Sequence, residues 1–161
     1  MVREKEAKIS ALVYVVTAFV LCFIKLPLVE VGIHKGCSFC SRLLYPFVHA
    51  NIFHCLVNCW CLLSLVFILD VSILELAISY VIAVLAPVGF WGQVTPTVGL
   101  SGLLYCLVGI YTFKVRKKIK WLLWWSFFLG IGFFFAASAN LLHLWCFACG
   151  LIIGFLNSPA R

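Results

Sequence analysis

Acidic side chains are scarce in this chain. Glu4, Glu6, Glu30, Asp70 and Glu75 are its only carboxylates among 161 residues. Charge of either sign is sparse as well, at 11% of residues against 65% hydrophobic ones. A soluble globule of this size has too little interior to hide that much apolar surface, which excludes that class and leaves a polytopic membrane protein. By length it is one domain, 1–161. With the rest of the surface apolar, a net charge of +7 does not point to nucleic acid. The positions of the cations relative to a bilayer are what matter. Nor do the nine cysteines form a disulfide framework. Cys22, Cys55, Cys59, Cys61, Cys106, Cys146 and Cys149 lie in apolar runs, where a free thiol behaves as a small hydrophobe.

What is abundant is apolar sequence, in six runs: 10–26, 45–69, 71–90, 98–113, 121–137 and 141–156. Several are at or just below the ~17–25 residues usual for a spanning helix. Breakers fall between them, with Pro27, Gly32 and Gly36 after the first and Gly89, Gly92 and Pro96 after the third. The first run has no small-residue cleavage site and reads as a span rather than a signal peptide. With the N-terminus in the cytoplasm, nine cations fall inside: Arg3, Lys5, Lys8, Lys114, Arg116, Lys117, Lys118, Lys120 and Arg161. Three, Lys25, Lys35 and Arg42, fall outside. An even number of spans with both termini inside obeys the positive-inside rule. Residues 28–44 then form a long outer loop between the first two spans. The fourth run, roughly 24 Å long as a helix, begins below the outer surface, where the 89–97 segment dips in to meet it. Irregular backbone at that depth requires surrounding protein or a water-filled cavity.

Polar residues within the runs gather toward the outer side. His49, His54 and Asn58 lie in the second run, Ser101 and Tyr105 in the fourth, Asn140 and His143 at the start of the sixth. Ionisable groups in a membrane are costly, so each is a functional candidate. His54 and Asn58, four apart, share a helix face, as do Ser101 and Tyr105. His143, Gly150 and Gly154 fall within about 20° of one stripe at 100° per residue. Gly150 and Gly154 form a small-xxx-small seam. That seam would bring His143 against the fourth helix, which carries Gly102 and Gly109. A serine becomes a nucleophile when an imidazole within hydrogen-bond reach takes its proton. With four acids on the inner side and Glu30 in the outer loop, no carboxylate is available to orient that imidazole, so Ser101 and His143 would act as a dyad rather than a triad. Oxyanion donors would be the amides opening the Ser101 helix, His54 and the Asn58 amide.

These residues resemble the rhomboid family of intramembrane serine proteases along nearly the whole chain. Three blocks carry the resemblance: Arg42 to Asn58 with His49 and His54 between them, Gly99-Leu100-Ser101-Gly102, and Asn140-Leu141-Leu142-His143. The resemblance implies an all-α, six-transmembrane-helix bundle with both termini inside and the site opening outward. It implies Ser101 as nucleophile, His143 as general base, and His54 and Asn58 as oxyanion donors. Tyr105 would pack against His143, Gly99 and Gly102 would be the glycines of the serine motif, and His49 and Arg42 would order the first outer loop. The substrate implied is a transmembrane segment of another membrane protein, cut near its outer end through an acyl-enzyme. A bacterial-type inner or plasma membrane is the implied location, and the bilayer is the other partner. In one departure, Cys146 stands where family members often carry a glycine three residues after the second histidine, and its side chain would widen the contact between the fourth and sixth helices.

Two rival readings remain at this stage. One is a catalytically silent relative that binds transmembrane helices. The other is a haem- or metal-carrying protein using His49, His54 and His143. No cofactor, metal or nucleic acid is expected. Cys37 and Cys40 have C-x-x-C spacing and would form either a local disulfide or two loop cysteines without a special role. The basic 114–120 stretch would fix topology and touch anionic lipid headgroups.

Overall fold

The computed structural model describes residues 2–132 and 139–158. Among these the chain forms eight helices: α1 (Val2–Cys22), α2 (Leu28–Val31), α3 (Phe39–Leu44), α4 (Ile52–Ile68), α5 (Ile73–Val84), α6 (Ser101–Tyr111), α7 (Lys118–Gly132) and α8 (Asn140–Leu156). Six of these answer to the six apolar runs, and α2 and α3 occupy the 28–44 loop. The end of the fifth run, 133–137, and Arg161 lie outside the described residues. Among the described residues no helix is long and apolar enough to cross a membrane. The two longest uncharged helices, α4 and α8, have 17 residues each.

Helices and apolar runs part company at their ends, for local reasons. Helix α4 begins seven residues into its run, where Asn51 adopts an extended conformation and accepts the His54 amide on its side chain at 2.8 Å. Such a cap satisfies an amide that the first turn leaves without an acceptor. Helix α5 begins with a full capping box between Ser72 and Glu75 and stops at Val84, three residues before Pro87. Helix α1 starts earlier than its apolar run, taking in the charged residues from Glu4 to Lys8. Lys8 reaches Asp70 at 3.0 Å across the bundle.

Helix α6 is the axis of the molecule. Nine of its eleven residues are buried, and α8, α5 and α4 all pack on it. Its closest neighbour is α8, and the reason is glycine. A Cβ on Gly154 would collide with the Ile110 carbonyl oxygen, and one on Gly109 would lie 2.7 Å from the Leu151 nitrogen. Backbone thus touches backbone along the seam, as the spacing of Gly150 and Gly154 requires. At the end of α6 remote from Ser101, Glu75 accepts the Tyr111 hydroxyl at 2.8 Å and pairs with Lys114. The carboxylate nearest the bundle interior is therefore engaged far from the serine.

The 28–44 loop is held to the rest by backbone acceptors. Arg42 Nη1 donates to the Val84 and Ala86 carbonyls at 3.1 and 2.9 Å, closing the end of α5. The Tyr80 hydroxyl donates to the Leu43 carbonyl at 2.8 Å. Ile33 and Thr97 form an isolated antiparallel bridge, each amide donating to the other's carbonyl at 2.9 and 3.0 Å. The first loop and the 89–97 segment are thereby one unit. Every cysteine is a free thiol, Cys37 and Cys40 included.

Candidate active site

Ser101 is the first residue of α6 and His143 the fourth of α8. The tight α6–α8 packing brings the Ser101 hydroxyl within 2.8 Å of His143 Nε2. The Tyr105 ring, one turn below Ser101, stacks on the His143 imidazole at 4.6 Å and 29°. Stacking against an aromatic face fixes the ring plane, and so aims Nε2 at the hydroxyl.

The turn leading into Ser101 depends on Gly99. Its φ of +116° is a conformation L side chains avoid. A Cβ there would also lie 2.8 Å from His54 Cε1 and 3.2 Å from Asn58 Nδ2. His54 and Asn58 thus close over the turn from α4, on the one face their spacing gives them. The Gly99 amide donates to the Tyr45 carbonyl at 2.8 Å. Asn58 is buried, and among the described residues its Nδ2 meets no hydrogen-bond acceptor. A buried donor without an acceptor is unusual in a folded protein. His49 is buried with its ring edge-on to that of His54 at 5.1 Å, and its Nδ1 donates to the Phe47 carbonyl at 3.3 Å.

A cavity of about 420 Å³ opens beside the serine. His54, Ser101 and His143 line one side, and Thr95, Pro96, Thr97 and Val98 the other. The end of the 89–97 segment is therefore part of the cavity wall, pinned by the Thr97–Ile33 bridge. Leu28, Ala50 and Ala139 complete the lining. These three were not among the candidates from sequence, since nothing in an apolar or small residue type signals proximity to a serine.

Cys146 is fully buried, and a Cβ on Gly102 would sit 3.5 Å from its Sγ, an ordinary contact. The thiol fills space beside Gly102, and the Ser101–His143 distance remains a hydrogen bond. As for the metal reading, no three His, Cys, Asp or Glu side chains gather to hold an ion among the described residues.

Tyr45 was not singled out as a site residue from sequence, yet it supports the turn. Its carbonyl accepts the Gly99 amide, and its hydroxyl oxygen faces Gly102, where a Cβ would lie 3.2 Å away. That hydroxyl is buried and has no hydrogen-bond partner among the described residues. The bond that holds the turn comes from the carbonyl, which a change at the hydroxyl leaves in place. Tyr45→Phe should therefore keep the protein's stability or raise it by up to about 1 kcal/mol, read as an unchanged or higher melting temperature, because a buried unpaired hydroxyl costs more than it returns. A fall in melting temperature would show that the hydroxyl has a partner.

Residues 36–160, most of the chain, match the family model described as the Rhomboid domain. A search of the curated proteins found no match.

Proposed function

Because the chain belongs to the rhomboid family, whose members are intramembrane serine proteases or inactive relatives of them, we propose that it is an active endopeptidase. In this reading it cuts transmembrane segments near their outer end with Ser101 and His143. The 2.8 Å contact between the Ser101 hydroxyl and His143 Nε2 carries the reading. His143 takes the hydroxyl proton as Oγ attacks the scissile carbonyl carbon. The Asn58 Nδ2 donor, free of any other acceptor, and the amides opening α6 meet the oxyanion, with His54 beside them. His143 then hands its proton to the leaving amine. Water from the cavity hydrolyses the acyl-enzyme, His143 acting as base again. No carboxylate is needed: Tyr105 stacking does the orienting that an aspartate does in a triad.

Family membership implies residence in a membrane, and the surface agrees. Large apolar side chains such as Phe23, Phe53, Trp60, Ile68 and Phe155 are exposed, a distribution at home in lipid. In our reading six spans cross with both termini in the cytoplasm, the nine-to-three cation asymmetry sets that orientation, and the cavity faces outward. The 17-residue α4 and α8 reach roughly 25 Å and the 11-residue α6 roughly 16 Å, so the apolar residues flanking these helices would complete their crossings inside the protein. The alternative is a silent relative that binds transmembrane helices, for which Cys146 speaks and the Ser101–His143 hydrogen bond speaks against.

The test is a fluorophosphonate probe on the detergent-solubilised protein. Oγ should displace fluoride at phosphorus, and mass spectrometry should find the adduct on the peptide holding Ser101. Asn58→Ala should slow labelling about a hundredfold, the usual loss for one oxyanion donor. A folded wild type that takes no label would overturn the proposal.

A further inference from the structure

A second cavity, of about 360 Å³, lies at the end of α6 remote from Ser101, lined by Val115, Lys117, Lys120, Trp121 and Trp124. The Trp121 amide donates to the Lys117 carbonyl at 3.0 Å, so the helical path of α7 already includes Lys117. Lys117, Lys120, Trp121 and Trp124 then stand at i, i+3, i+4 and i+7, one stripe about 100° wide. Along it the chemistry changes in order: two ammonium groups, two indoles, then Phe128, edge-on to Trp124 at 5.1 Å. The cations of this segment have divided roles. Lys114 is bound to Glu75, and the Lys118 ammonium faces the Phe113 ring at 5.9 Å. Lys117 and Lys120 have no ion-pair partner among the described residues, and no carboxylate lines the cavity. The Trp121 indole is fixed as a wall by its N–H, which donates to the Val108 carbonyl at 3.1 Å. Trp124 is 60% exposed.

A stripe that is cationic at one end and aromatic and apolar along the rest matches an amphiphile with an anionic head. We infer that this cavity binds one anionic phospholipid, its phosphate between Lys117 and Lys120 and its glycerol and first acyl carbons along Trp121 and Trp124. A soluble phosphate would use only the lysines and leave both indoles idle, so the lipid is the better occupant. Because α6 runs directly from Ser101 to this end of the bundle, the lipid would hold α7 against the helix that carries the serine. The inference rests on the membrane location that the family implies, and not on the chemistry of Ser101.

The full chain, purified in an uncharged detergent, is titrated with dioleoyl phosphatidylglycerol and separately with dioleoyl phosphatidylcholine, and bound lipid is counted by native mass spectrometry. One phosphatidylglycerol should be retained at concentrations where phosphatidylcholine is not. Lys117→Gln with Lys120→Gln should weaken it about thirtyfold, each lysine near an anionic headgroup contributing a factor of about five. Trp124→Ala should weaken it about fivefold with both lysines intact. Removing equal charge elsewhere, with Lys25→Gln and Lys35→Gln, should leave affinity unchanged. Equal retention of the two lipids, or equal weakening by the control pair, would overturn the site. Displacement of the lipid by equimolar inorganic phosphate would overturn the lipid as its occupant. Fluorophosphonate labelling of Ser101 in the same samples is read separately, so a failed lipid site and a failed serine protease give different results.

Discussion

Ser101→Ala should abolish cleavage of a reconstituted transmembrane substrate, a loss of about ten thousandfold or more, and His143→Ala should do nearly the same. The two side chains meet at 2.8 Å and form one proton-transfer unit, so either loss disables the other partner. For that reason the double variant should be no slower than the worse single one. Additive losses would mean that the groups act on separate steps. The substrate should be a single apolar helix with glycine or proline near its outer end, because a closed helical backbone keeps its carbonyls from Oγ. Products are counted by mass after incubation in liposomes. Neither substitution should disturb folding much, since Ser101 lies at the mouth of a cavity and its removal leaves the α6–α8 seam intact. A Ser101→Ala protein that still cuts at a tenth of the wild-type rate would exclude this serine as the nucleophile.

The site was more legible in the sequence than the helix ends. Ser101, His143, His54 and Asn58 are polar side chains in apolar runs, and polarity at such positions stands out by composition alone. Helical spacing put His54 and Asn58 on one face, order, depth and resemblance set Ser101 against His143, and the structure brings the four around one turn. The seam was legible for the same reason, since glycines at four-residue spacing leave a gap that only another backbone fills. Hydropathy, by contrast, reports the preference of side chains for an apolar medium and says nothing of where the backbone stops being helical. Residues 45–51 are apolar enough to extend a span, yet Asn51 caps α4 after them and Tyr45 spends its carbonyl on Gly99. That bond joins residues 54 positions apart through main-chain atoms, which every residue type possesses. Arg42 is similar: the resemblance implies a role in ordering the loop, but its acceptors are the Val84 and Ala86 carbonyls, which no residue pattern names. The cavity wall at Thr95 to Val98 was half visible, as a Gly/Pro/Thr segment unlikely to be helix; its bridge to Ile33 was not.

Gly150→Leu should leave no folded, probe-reactive protein, and Gly150→Ala should already lower stability by about 3 kcal/mol. Two effects compete here. Helix propensity favours alanine over glycine by about 1 kcal/mol in a helix interior, and Gly150 lies inside α8. Against it, a Cβ on Gly150 would collide with the Cys106 carbonyl oxygen and lie 3.0 Å from the Cys106 carbonyl carbon. Those atoms belong to the backbone of α6, the most enclosed helix, so no flexible side chain can swing aside to relieve the contact. The helices must separate, and the clash outweighs propensity. Separation at Gly150 is passed to the dyad, because His143 stands seven residues, roughly 10 Å, up the same rigid helix. Gly150→Ala should therefore lose labelling at Ser101 even where it remains folded, while changes remote from the seam keep it. Gly130→Ala is the matched control: a Cβ there meets nothing within 4 Å, so propensity acts alone and stability should hold or rise. Thermal unfolding and fluorophosphonate labelling of both variants decide the matter. If Gly150→Ala is as stable and as reactive as the wild type, α6 and α8 do not touch backbone to backbone, and some contact other than the seam must hold His143 to Ser101.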